Sequence, residues 1–363
     1  MLRQLILSLL TLLVLPALGD TPDGRYLYVA SPGIRDYLEY GGHGVLVYDI
    51  DKGHKFVKRI PIGGLDTNGK PLNIKGICAS AATGRAYITT PKQIMCLDLL
   101  TGKILWEKTP DKGCDRMSIA PDGKFLYVPS FESDRWNVID AASGDTIKPI
   151  ITKSGAHNTV IALDGTRAFM GGLKSPTLFI ADTSTHDLTA QTVPFSDMIR
   201  PFTVNGRGTL VYVCVNELLG FEIGDLAAGK LLHRVEIKGF SKGEVKRHGC
   251  PSHGIGLTPD EKEVWVVDAF NQRVHVFDNT VMPPKQIQSI PVRDQPGWIT
   301  FSIDGTLAYP SSGDVIDVKT RKIVATLSDE TGRPVQSEKL LEIDFAGGKP
   351  VRAGDQFGIG RVR

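Results

Sequence analysis

APDGKFLYVPS, residues 120–130, decides the fold. Pro-Asp-Gly is turn chemistry: proline presets φ, aspartate bonds nearby backbone, and glycine takes conformations closed to other residues. The run behind it alternates aromatic and β-branched residues, as a strand does. The plan recurs in TPDGRYLYVAS (21–31), ATGRAYITT (82–90), ALDGTRAFMGG (162–172), NGRGTLVYVCV (205–215), TPDEKEVWVVD (258–268) and SIDGTLAYPSS (302–312). A second echo follows each turn: VLVYD (45–49), IMCLD (94–98), WNVID (136–140), TLFIAD (177–182), LLGFE (218–222), VHVFD (274–278) and DVIDV (314–318). Most of these acidic residues open a tight turn into a last strand.

Seven turns and seven acidic strand ends define seven units, each with about four short strands and almost no helical periodicity. A four-stranded unit of this period cannot bury both of its faces alone, and the radial answer is an all-β, seven-bladed propeller of antiparallel blades. A solenoid would need a shorter, more regular repeat and capping ends. The first unit begins at its turn, so its inner strand must come from elsewhere. DQFGIGRVR (355–363) resembles SHGIGLT (252–258), so the C-terminal segment is expected to supply that strand and close the ring, removing free sheet edges. Residues 20–363 then form a single propeller domain.

The units resemble the YVTN family of propeller repeats, within the lactonase-like group of seven-bladed propellers. PDGRYLYVAS and PDGKFLYVPS carry the turn-plus-YV core, and WNVIDAASGD carries the second half. The resemblance spans nearly the whole chain after its leader. It implies the fold; for chemistry it implies only a range, from lactone hydrolases and lyases to redox-enzyme subunits and binding proteins.

The leader is MLRQLILSLLTLLVLPALGD. One arginine, an apolar stretch and a small-x-small end mark residues 1–19 as a cleaved secretory signal. The apolar stretch is too short to span a bilayer comfortably. No cysteine follows it to carry a lipid. The protein is therefore expected to be secreted or periplasmic, without a transmembrane anchor, and monomeric. Forty-two basic residues against 40 acidic ones give no field suited to nucleic acid. Five cysteines are present, an odd number, with no CxxC or CxxCH pattern, so no zinc ribbon or haem attachment is indicated.

Each inner strand ends at its turn, so its other end opens at the opposite mouth of the channel. Counting back eight residues from the turns gives Gly76, Asp115, His157, Arg200, His253 and Gly297, with Phe357 as the seventh equivalent. Arg116, Asn158 and Trp298 follow ring positions by one residue. Asn271, in DAFNQ (268–272), and Arg247 and His248, in the long loop GFSKGEVKRHGCPS (239–252), lie on the same rim. Long loops crowding one rim of a rigid scaffold commonly shape a binding site.

Three readings compete. Asp115, His157 and His253 could hold a divalent metal ion, since imidazole and carboxylate suit one; Arg200 in the same ring opposes it. The arginines could clamp a small polar or anionic ligand, with His157 and His253 as acid–base groups of a lactonase- or lyase-like enzyme acting on a sugar acid or lactone. Or the ring is structural and the loops bind a cell-envelope partner. His275, alternating with Val274 and Val276, is expected to face solvent.

Overall fold

The structure, a computed structural model, describes residues 23–245, 247 and 249–362. The leader read as a signal peptide lies outside them. Seven antiparallel sheets stand in sequence around an axis: six of four strands and one of five. The sole helix among the described residues is a 3-10 turn at Leu38–Tyr40.

The turn chemistry works as the repeat implies. Gly123 has φ 74°, in the left-handed region, and an added Cβ would meet Ser80 Oγ at 2.6 Å. At the strand ends, Asp98, Asp140 and Asp225 each accept backbone N–H groups two and three residues ahead, which fixes the turn into the outer strand. In the fifth blade Asp225 does this in place of the expected Glu222, which is buried within the strand Gly220–Asp225 and accepts from Ser196 N and Arg234. Every third-to-fourth strand pairing carries a register shift, and such bulges increase local twist.

The core lies between blades. Tyr28 and Val47 of the first sheet pack with Ile77, Ile88 and Leu97 of the second, and Trp136 and Val138 of the third pack with Ala168 and Met170 of the fourth. Fully burying a large aliphatic or aromatic side chain contributes about 1.5–3 kcal/mol. Because each blade is covered on both faces, both side-chain sets of its middle strands are buried. His275 is an instance: it is fully buried, as are Val274 and Val276, and does not face solvent.

The C-terminal part closes the ring, but through a different stretch from the one its resemblance to SHGIGLT suggested. Leu340–Ala346 is the inner strand of the first blade, with Phe345 opposite Gly24 and Leu340 opposite Val29. Lys349–Ala353 adds a fifth strand beside it. Residues 355–362 instead run through the axis. Gly358 O accepts from Leu257 N and Thr203 Oγ1, Gln356 Oε1 from Ile77 N, and Val204 O from Gly360 N. The likeness to an inner strand is real because this run touches inner strands of several blades; it satisfies their edges without joining one sheet.

Candidate functional site

The channel mouth opposite the turns gathers side chains from the inner-strand starts of successive blades. Its cavity, about 150 Å³, is lined by six basic residues, Arg35, Lys75, Arg116, Arg200, Arg247 and Lys339, against the carboxylates of Glu132 and Glu338. Among the described residues, His157 and His253 complete its ionisable lining. A larger cavity of about 300 Å³ at the turn-bearing mouth is lined chiefly by small and apolar residues such as Ala79, Ala120 and Ile161, and offers no comparable charge cluster.

Asp115 and Arg116, just ahead of the third blade's inner strand, meet His157 of the fourth blade. His157 Nδ1 is 2.7 Å from Asp115 Oδ2, and its Nε2 is 3.2 Å from Arg116 Nη1. A guanidinium only donates, so Nε2 must present its lone pair and the proton must sit on Nδ1, donated to Asp115. His157 is therefore neutral. Burial pushes it down to about 4, against the pull of Asp115. For Asp115, burial alone would raise its value, but His157, Lys75 and Arg116 hold it below the ordinary carboxylate range. The Lys75 ammonium stands 3.4 Å from Asp115 Oδ1.

Arg116 is the hub. It bonds Glu338 Oε2 and stacks 4.5 Å over the Trp298 ring, a cation–π contact. Trp298 lies beneath that guanidinium, its indole N–H donating to Gln356 O of the axial run and its ring packing on Phe357 at 5.9 Å. Lys339 Nζ donates to the same Glu338 oxygen at 2.6 Å and to Gly33 O at 2.9 Å.

The seventh ring position is thus Glu338, and Phe357 packs in the axis instead. Extending the pairing of Leu340 with Val29 by two residues sets Glu338 opposite Ser31, as Asp115 falls opposite Ser130 when the Ser118–Tyr127 pairing is extended. Counting back from turns missed Glu338 and Lys339 because this inner strand's partner lies at the other end of the chain. The run KLLEIDFAGGK (339–349), apolar alternation ending in Gly-Gly, was the available signal.

The other candidates divide. Arg200 Nε donates to Asn216 Oδ1 at 2.6 Å and Nη2 to Gly249 O at 3.4 Å; among the described residues no carboxylate pairs with it. Arg247 reaches from its long loop across the rim to Tyr40 Oη (2.6 Å), Asp294 Oδ2 and Gln336 Oε1 (both 3.0 Å). His253 Nδ1 lies 2.9 Å from Gly297 O, tying the sixth blade to the seventh. Asn158 is buried beside this network, forming a parallel bridge with Arg116, but is not part of the cavity lining. Asn271 is held away from the mouth by Asp268 and Ser241. His248 lies outside the described residues.

The donor set does not suit the metal reading. Among the described residues no three His, Cys, Asp or Glu side chains converge to hold an ion. His157 has both ring nitrogens engaged, one of them by a cation. The same engagement leaves it no lone pair facing the cavity for acid–base work. All five cysteines are buried and unbridged; burial raises Cys114 and Cys250, so neither is a reactive thiolate.

No family model matches the chain, and no curated protein matches it. Among solved structures it is similar to Kuenenia stuttgartiensis hydrazine synthase, at 14% identity and TM-score 0.61 over 78% of this chain and 88% of that one. It is also similar to the dihydro-heme d1 dehydrogenase NirN in complex with DHE, at 13% identity and TM-score 0.62 over 92% of this chain and 73% of that one. What this likeness shows is the propeller. At such identities it carries no chemistry.

Proposed function

We propose that this YVTN-type propeller is an exported binding protein that holds a small carboxylate-bearing ligand at the basic mouth of its channel. The observation that carries this reading is a surplus of basic side chains. Among the described residues six of them meet four carboxylates, even with Asp115 and Asp294 counted beside Glu132 and Glu338, and five stay cationic where Lys339 gives up its proton. Arg200, held by neutral acceptors, presents a guanidinium suited to a carboxylate. The cavity, about 150 Å³, suits a small acid. That the structural neighbour NirN was determined in complex with DHE supports the use of such a scaffold for ligand holding.

Calorimetric titration of lactate, and of its uncharged counterpart lactamide, tests the reading. Lactate binds at one site per chain and weakens with salt; lactamide does not bind. Arg200→Gln lowers lactate affinity roughly tenfold or more, the worth of one charge-assisted hydrogen bond. Equal binding of lactate and lactamide, or no binding of lactate, pyruvate or malonate, would overturn it.

A further inference from the structure

At the base of the cavity three buried cations, Lys75, Arg116 and Lys339, share two buried carboxylates, Asp115 and Glu338. Arg116 keeps its proton in all accessible conditions. Only a lysine can relieve the imbalance. Lys339 is so placed: its side chain lines the cavity, it is 2% exposed, and it competes with Arg116 for one oxygen of Glu338. Burial first, then the Arg116 charge, push its amine down to about 7, so much of it is unprotonated at neutral pH. A desolvated lysine beside a second cation is the arrangement that makes an amine nucleophilic toward carbonyl carbon.

We propose that Lys339 forms an imine with the carbonyl of a small 2-oxo acid whose carboxylate the surrounding cations hold. This rests on the carboxylate-binding reading above and narrows its ligand to one bearing an adjacent carbonyl. The step balances as unprotonated amine plus ketone giving imine plus water. Nζ attacks the carbonyl carbon, a C–N bond forms, and the π pair moves to oxygen. Glu338, bonded to Nζ, takes a proton from nitrogen and passes it to that oxygen. A second nitrogen proton follows, the C–O bond breaks, and water leaves. No oxidant or reductant is needed.

Trapping tests it. The full chain is incubated with pyruvate and sodium cyanoborohydride, which reduces imines to stable secondary amines, and the adduct is located by peptide mass mapping. One adduct per chain is expected at Lys339, forming at least about tenfold faster than at exposed lysines, which are almost wholly protonated near neutral pH. It is absent in Lys339→Arg. Mapping on the unsubstituted chain decides the matter even where that variant does not fold. An adduct spread evenly over the lysines, or none at Lys339 while calorimetry registers pyruvate binding, overturns the imine and leaves the carboxylate site standing. Failure of both pyruvate and lactate to bind overturns both.

Discussion

Two buried histidine–aspartate pairs invite comparison. At the mouth, His157 and Asp115 come from neighbouring blades and continue through Arg116 to Glu338 of the first. In the sixth blade, His275 joins Asp268 at 3.2 Å and Ser289 at 2.8 Å, all on adjacent strands of one sheet. The second chain of contacts has the residue types of a nucleophilic triad, yet Phe240 packs on the imidazole at 4.8 Å and it satisfies groups within one blade. The first crosses blades and ends in an excess of cations around a cavity. What separates them is what remains unbalanced: the blade network closes on itself, and the mouth network does not.

Breaking the hub has the largest effect. Arg116→Ala removes a buried partner of Glu338, the donor to His157 Nε2 and the cation over Trp298, and is expected to cost about 3–5 kcal/mol in denaturant unfolding, as for breaking a buried ion pair by deleting one partner, with lactate binding lost. Wild-type stability in that variant would mean the cross-blade network does not hold the ring. Next, Asp268→Ala strands the His275 ring and Asn271, and unfolding should come about 1–3 kcal/mol sooner, with lactate affinity unchanged. A tenfold loss of affinity there would show the two networks to be coupled.

Acidity sharpens the contrast further. His157 has a folded value of about 4, below its unfolded value of about 6.5. Between those limits the unfolded chain binds more protons, so stability fades as pH falls from about 6.5 to 4 by up to about 1.4 kcal/mol per unit. His157→Gln should flatten that limb of a melting-temperature profile. Glu342, on the closing strand, runs the other way. Burial, helped by the neighbouring Asp344, raises it to about 8 against the donation from Ile303 N, so the folded chain holds the extra proton and stability fades as pH rises from about 4.5 to 8. Glu342→Gln should remove that decline, and a profile unaltered by the substitution would refute it. The smallest effect belongs to Arg247→Ala at the rim. Lactate affinity should fall a fewfold while stability moves by no more than about 1 kcal/mol, as for a partly exposed ion pair.

The fold was legible because its signals are local. A Pro-Asp-Gly turn and an alternating strand are read within ten residues, and seven copies reinforce one another. The site was legible only where a turn marked the register, which placed Asp115, His157, Arg200 and His253 at one opening. Glu338 and Lys339 escaped because their strand pairs with residues some 300 positions away. His275 was misjudged because alternation distinguishes a covered face from a wet one, and a blade between two neighbours has no wet face. The partners that turn His157 from a candidate base into a support for Arg116 depend on distances between blades, which spacing does not encode.

The axial run from Asp355 to Val362 has a kinetic consequence. Trp298, under the Arg116 guanidinium, is seated on Gln356 and Phe357, and the basic cavity shares no lining residue with the one at the turn-bearing mouth. Whatever enters must leave by the same doorway, past Arg247. Loosening that doorway should hasten arrival and departure together, and a sluggish exchange would belong to the rim, while the grip itself belongs to the base.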